Sequence, residues 1–481
     1  MPLLGRLLLL LLLALPGSAW ARGDASSPAE PSLAAFLPGV PPAEMVPGAD
    51  RFGPPEGTPP VVPAYAGHRL LGWVYLNTDF TSATGYSGWP IHILVGLSTA
   101  WRITGARLVE HHEPMLLSGV GADRIAAVTD SYVGLDVAGI TSVAAARSRE
   151  TISGASVSAT VMGDSILRSA VLLMRQRRPE LEAALPAEAP AWVAVWRAHP
   201  LRLAVLGAAL LSLAAVLACH RRLARHPVAL DRFRLAFLAF TLLWIGFYAQ
   251  AQLSVVTLLA VVASVRGVFG WSALLMAPAV CLLWAATLLS LPLWGRGAFC
   301  GWLCPYGAAQ ELAARAARAL GVRPWRVPWR VQRGLGWLKY AALAGLVGLA
   351  VHALAPAERA AEIEPFRTVF SLGFARPWPF GLYALAWLGL GLFVARPFCR
   401  FLCPLGAALA LPAWLGQLVH LPRRPGCGHP CRRCAQECPV QAIAPGGTIA
   451  ASECIACLHC EGLYDSDTGC PLRRREARHA R

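Results

Sequence analysis

Between residues 199 and 420 the chain is dominated by apolar runs that carry few charges. Leu201 to Cys219 is the first and ends at His220-Arg221-Arg222. Leu235 to Tyr248 follows, extending or bending through Gln250 and Gln252. Val255 to Val265 is short; Trp271 to Leu293, Leu335 to Leu354 and Phe380 to Val394 complete the series. Unbroken apolarity of this length, without the one-sided periodicity of a surface helix, predicts helices in lipid. Five runs are read as crossings, and Val255 to Val265 as a re-entrant or surface helix. Arginines cluster after the first run (Arg221, Arg222, Arg225, Arg232, Arg234) and before the Leu335 run (Arg315, Arg318, Arg323, Arg326, Arg330, Arg333). Basic loops stay on the cytoplasmic side. The first crossing then runs inward, the N-terminal part lies outside and the C-terminus inside.

Upstream the pattern changes to that of a soluble domain over residues 67–195. Ile91 to Leu97 and Arg102 to Val109 read as two strands around a short turn. Glu150-Thr151-Ile152-Ser153-Gly154-Ala155-Ser156-Val157-Ser158 opens a helix expected to reach about Arg175. Small and hydroxyl residues there suit either an N-cap or a backbone cradle for an anion such as phosphate. Spacing alone leaves both open. Residues 22–66, rich in Pro, Ala and Gly, read as an extended, weakly ordered lead-in. Before them, Arg6, the apolar Leu7 to Leu15 and Ala19-Trp20-Ala21 have the form of a signal peptide over residues 1–21. That places the following domain outside the cytoplasm, in a bacterial periplasm.

Composition supports a membrane protein: of 481 residues 56% are hydrophobic and 15% charged. The net charge of +16 invites a nucleic-acid reading. Its placement argues against direct nucleic-acid binding, because the arginines sit between apolar runs and in a basic tail at 476–481. Lys339, the lone lysine, lies inside an apolar run.

Eight of the 14 cysteines follow residue 426 in two blocks. The first is Cys427-x3-Cys431-x2-Cys434-x3-Cys438-Pro439. The second is Cys454-x2-Cys457-x2-Cys460-x9-Cys470-Pro471. A cubane cluster needs four converging thiolates; close spacing supplies three from one loop and a remote Cys-Pro the fourth. In two-cluster ferredoxins the fourth cysteine serves the other cluster. One site is thus expected from Cys427, Cys431, Cys434 and Cys470, and another from Cys454, Cys457, Cys460 and Cys438. A pair of four-cysteine zinc sites is the alternative. A reducing cytoplasm disfavours disulfides. The expected architecture is a multi-domain membrane protein. It has an α+β outer domain, about five transmembrane helices over 199–420 and a two-cluster ferredoxin-like α+β domain at 421–475.

Two further pairs lie in the membrane part: Phe299-Cys300-Gly301-Trp302-Leu303-Cys304-Pro305 and Phe398-Cys399-Arg400-Phe401-Leu402-Cys403-Pro404. Both continue x-Gly-Ala-Ala and both follow an arginine, which marks an internal repeat. C-x3-C places two thiols a helical turn apart on one face. The four could meet as a redox metal site, act as two dithiol pairs, or pack as small hydrophobes. Cys219 and Cys281, single in apolar runs, are expected to pack.

The whole order resembles the NosR/NirI family of membrane flavo-iron–sulfur proteins, linked to nitrous oxide and nitrite respiration. The resemblance spans about residues 67–475. It rests on Gly88-Trp89-Pro90-Ile91, on Ile103-Thr104-Gly105-Ala106-Arg107-Leu108-Val109-Glu110-His111-His112-Glu113-Pro114, on Ser153-Gly154-Ala155-Ser156, on both C-x3-C-P pairs and on the cysteine tail. It implies an outer FMN-binding domain in which a flavin phosphate is esterified to a hydroxyl in a D-x-x-[ST]-G-A-T segment. Here Ser156 stands at that position, with Ser153, Gly154 and Ala155 beside it, and Glu150 replaces the Asp. A flavin transferase would attach the group. The implied role is electron transfer across the inner membrane, from a quinol pool or cytoplasmic donor to a periplasmic reductase such as nitrous oxide reductase. Redox-linked regulation and metalloenzyme assembly are alternatives. The family's longer members carry a periplasmic insertion before the first crossing; here Trp192 leads almost directly into it.

Overall fold

The computed structural model describes residues 32–81, 90–111, 122–140, 156–178, 191–263, 274–352, 354–374, 376–414, 418–419, 421, 423, 426–429, 431–466 and 469–473. The expected signal peptide lies outside these residues. The chain divides into two compact units. One ends at His199 and regains the chain over Ala260–Pro278; the other comprises Pro200–Leu259 and Ala279–Arg481.

The first unit is built on strands Arg51–Phe52 (β1), Val61–Ala66 (β2), Arg69–Leu76 (β3), His92–Ser98 (β4) and Ile103–Glu110 (β5). They form an antiparallel sheet in the order β1-β2-β3-β4-β5, with Tyr75 opposite Val95 and Val95 opposite Ala106. The expected hairpin is β4–β5, displaced by one residue at each end. Alternate residues of a strand face opposite ways. Ile93, Val95 and Leu97 therefore join Met162, Ile166, Leu167, Ala170 and Met174 of the helix Ser156–Arg177 in one core. Leu94 joins Val62, Ala64, Val74 and Leu76 in the other. Buried Asn77 ties helix to sheet: Nδ2 donates to Ile91 O (3.0 Å) and Ser165 Oγ (2.9 Å), and Oδ1 accepts from Ile93 N (2.7 Å).

The lead-in departs from expectation. Rather than a weakly ordered segment, the described residues 32–66 supply β1, β2 and the short helices Leu33–Phe36 and Pro42–Met45. A sheet that is apolar on both faces needs two covers. Leu33, Val40, Met45 and Val46 furnish the second, buried against Val62, Val74 and Leu94. Gly96 makes this possible, because a Cβ there would meet the Met45 backbone.

The second unit is helical. Helices Pro200–Ala218 and Trp329–His352 are long and apolar enough to cross a membrane, at 19 and 24 residues; about 20 residues span a hydrocarbon core. The runs expected to cross at Trp271 and Phe380 give shorter helices, Pro278–Trp294 and Trp378–Phe393. Proline opens both: Pro278 begins the first, and Pro377 caps the second, since its fixed φ suits a first turn but not a helix interior. The Leu235 run emerges as Pro227–Phe240 passing into π-helical turns over Thr241–Tyr248. Exposed Leu201, Leu211, Leu289, Trp378 and Leu382 form an apolar exterior that fits a membrane protein. Cys219, expected to pack, is exposed, and Cys281 is half-buried.

Candidate iron–sulfur sites

The cysteine tail folds around two short helices, Arg433–Glu437 and His459–Asp465. Where strands of an α+β ferredoxin-like fold were expected, the described residues show isolated bridges, Ile443 with Ile449 and Cys427 with Cys431. Two hollows open between these pieces. Cys427, Cys431, Cys434 and Cys470 line the first; Cys438, Cys454, Cys457 and Cys460 line the second. Each set draws three cysteines from one block and one from the other. The exchange has a local cause: Pro439 and Pro471 follow Cys438 and Cys470, and proline turns the preceding residue out of helical backbone. Cys438 accordingly ends its helix with extended ψ of 116°.

The sulfurs meet backbone donors as well: Ala442 N donates to Cys438 Sγ (3.3 Å) and Ala456 N to Cys454 Sγ (3.4 Å). Burial pushes the Cys438 thiol up to about 12 and the Cys454 thiol up to about 11, with the neighbouring Cys457 adding to both. Such thiols ionise when metal supplies the opposing charge. Among the described residues no three His, Cys, Asp or Glu side chains are placed to hold a metal ion. Four cysteines line each hollow, and four thiolates are the donor set of a cubane cluster. The donor set therefore fits iron–sulfur clusters, which when bound supply one-electron redox chemistry.

The C-x3-C pairs adopt a different geometry from two thiols on one helix. Cys300 lies in the π-helical turn Phe299–Leu303, and Cys304 caps the next helix, Pro305–Ala319. Cys399 lies in Pro397–Phe401, and Cys403 caps Pro404–Ala408. The proline after each second cysteine forces the break, with ψ of 113° at Cys304 and 110° at Cys403. Each capping sulfur accepts a backbone hydrogen bond, Cys304 from Gly307 N (3.4 Å) and Cys403 from Gly406 N (3.2 Å). Gln252 Nε2 approaches Cys304 Sγ at 3.7 Å. Cys300, Cys304 and Cys403 belong to one buried cluster.

Charges hold the loops in place. Each repeat's leading arginine reaches the other repeat: Arg296 Nη1 donates to Gly406 O (3.4 Å), and Arg396 donates to the carbonyls of Cys300 and Gly301. Glu311 receives Arg396 (2.6 Å) and Arg234 (2.8 Å), all three buried. Burial alone would raise the Glu311 carboxyl, but Arg396 and Arg234 hold it well below the usual carboxylate range. Glu453, next to Cys454, receives both Arg296 (3.0 Å) and Lys339 (2.6 Å). The arginine before each pair is visible in the sequence; Glu311, Glu453 and Arg234 carry no motif and were missed. Ser153, Gly154 and Ala155 lie outside the described residues, and Ser156 is the first residue of its helix.

These features define an iron–sulfur protein whose apolar helices suit a membrane. A 4Fe-4S binding domain profile matches residues 276–328 and 377–422, once over each C-x3-C repeat, and a NosR profile matches residues 425–481. The chain belongs to the NosR/NirI family. It is 46% identical over 305 residues to the regulatory protein NosR of Pseudomonas aeruginosa PAO1, covering 63% of this chain and 43% of that one. It is 45% identical to the protein NirI of Paracoccus denitrificans, covering 63% and 45%. A shorter Pseudomonas aeruginosa NosR sequence is 48% identical over 82 residues, 17% of this chain and 82% of its own length. The chain thus spans less than half the length of the two long relatives. No solved structure matches.

Proposed function

We propose that the protein is a transmembrane electron relay serving a periplasmic reductase, through nitrous oxide reductase turnover or maturation. Electrons pass between two clusters held by the tail, on the cytoplasmic side, and an FMN esterified at Ser156 in the outer domain. A hydrocarbon core of about 30 Å separates such ends, so an intermediate is required. Cys300, Cys304, Cys399 and Cys403, or a bound quinol, fill that role. About five crossings in a bacterial inner membrane, with the sheet domain in the periplasm, complete the arrangement. A flavin transferase attaches the FMN, and the quinol pool or a cytoplasmic donor supplies electrons.

The observation that carries this reading is the continuity of thiols within one unit. The hollow of Cys438, Cys454, Cys457 and Cys460 stands beside the C-x3-C loops, joined to them by Glu453 and Arg296. Anaerobic purification followed by titration of flavin and cluster signals against quinol tests it. Reduction of both by quinol supports the relay, and clusters that reduce while the flavin does not refute it. A regulatory role is the second reading, favoured by the name of the long relative, regulatory protein NosR. Deletion of the outer domain separates the two: lost reductase turnover at unchanged reductase expression favours the relay, and lost expression favours regulation.

A further inference from the structure

The tail's two hollows do not meet the C-x3-C loops in the same way. Several hydrogen bonds to the helical part leave the tail beside ligands of the second hollow, and one, from Arg326 to Gln436 O, falls midway between Cys434 and Cys438. Beside Cys454, Glu453 takes Arg296 through its backbone oxygen (3.1 Å) and carboxylate (3.0 Å). Between Cys454 and Cys457, Ala456 O accepts from Trp302 Nε1 at 3.0 Å. After Cys438, Gln441 Oε1 accepts from Arg400 Nη2 at 2.7 Å, and Arg400 lies between Cys399 and Cys403. After Cys460, Glu461 pairs with buried His220 at 2.7 Å. The first hollow is lined by Arg423, Arg432, Arg433 and Tyr464 of the tail itself.

Two glycines make the approach possible. Gly297 and Gly301 lie four residues apart, one on each side of Cys300 in sequence. A Cβ at Gly297 would stand 2.7 Å from Ala456 Cβ, and one at Gly301 would overlap the Ile455 carbonyl. Neither glycine has a left-handed φ, so the backbone shape does not demand glycine there. The demand comes from the Ile455-Ala456 backbone pressed against them. Ile455 and Ala456 are the two residues between cluster cysteines Cys454 and Cys457.

We infer that Gly297 and Gly301 form a seat for the Cys454–Cys457 loop. The hollow of Cys438, Cys454, Cys457 and Cys460 is thereby the tail site proximal to the C-x3-C cysteines, and that of Cys427, Cys431, Cys434 and Cys470 the distal one. Gly301 and Trp302 are positioning residues. The inference deepens the relay reading, which it needs only for its functional consequence; the seating can be measured on its own.

The experiment uses the full-length protein in lipid nanodiscs, prepared anaerobically. Cys457→Ser and Cys431→Ser assign which cluster signal belongs to which hollow. Gly301→Ala is then compared with Gly345→Ala, where a Cβ meets nothing within 4 Å. The expected result is a changed midpoint potential and line shape for the signal assigned by Cys457→Ser alone, with iron content retained. Amide exchange over residues 452–458 should rise as well, a readout that needs no electron transfer. Cluster-to-flavin transfer should slow relative to Gly345→Ala. If Gly301→Ala does not fold, Trp302→Phe removes one hydrogen bond without added bulk and should shift the same signal by less. A shift in the signal assigned by Cys431→Ser, or in neither signal with unchanged exchange, overturns the seating. Absence of cluster-to-flavin transfer in the unmodified protein counts against the relay, while potentials and exchange still decide the seating.

Discussion

Replacing Glu311 by Gln removes one negative charge from between two buried guanidiniums. Arg396 and Arg234 lie within 2.6 and 2.8 Å of Oε2, and Arg234 Nε also reaches Oε1 at 2.9 Å. The side chains of Arg234, Glu311 and Arg396 are 3%, 7% and 1% exposed, so water compensates little. With charge centres about 4 Å apart and an effective dielectric near 20, each pair attracts by about 4 kcal/mol. The glutamine keeps some hydrogen bonds, and both guanidiniums retain carbonyl partners in residues 300 and 301. The net loss should be about 3–5 kcal/mol, the range seen when one partner of a buried pair is removed. Glu437→Gln, which alters half-exposed pairs with Arg433 and His459, should cost far less, because exposed pairs contribute little. Denaturant unfolding in detergent measures both. The sign with pH follows from the depressed Glu311 carboxyl. Its contribution is fully present above the unfolded value of about 4.3 and is lost as pH falls through the lower folded value. A Glu311→Gln penalty no larger than that of Glu437→Gln would falsify the buried-triad argument.

The tail should bind about eight iron and eight sulfide per chain, as two four-iron clusters; zinc with negligible iron in anaerobic protein refutes this. Cys431→Ser should remove one cluster signal and spare the other, and loss of both would show that the hollows do not fold independently. Serine at any of Cys300, Cys304, Cys399 or Cys403 should block flavin–cluster transfer while both cofactors remain loaded; normal transfer in the quadruple variant reduces these cysteines to packing. Denatured protein should keep flavin fluorescence on the peptide containing Ser156, and Ser156→Ala should abolish it; flavin that washes off the unmodified chain rules out the ester.

The sequence determined those features in which chemistry is local. Proline after Cys304, Cys403, Cys438 and Cys470 fixes where helices break or begin, and the interval between cysteines fixes which thiols share a loop. The division of the eight tail cysteines into two blocks was therefore legible from spacing, as was the β4–β5 hairpin from its β-rich runs. Tertiary structure decided what depends on partners distant in the chain. Residues 32–66 look like a Pro-rich leader until the uncovered face of the sheet is seen to need Leu33, Met45 and Val46. Pro278 begins a helix that apolarity alone extends back to Trp271. Glu311 and Glu453 belong to no motif; they matter because folding brings arginines 77, 85 and 157 residues away onto them. A buried charge is tolerated only beside its opposite, and which residue supplies that opposite depends on the packing of the whole unit. The same holds at Gly301, an ordinary glycine in the sequence until the Ile455 backbone lies against it.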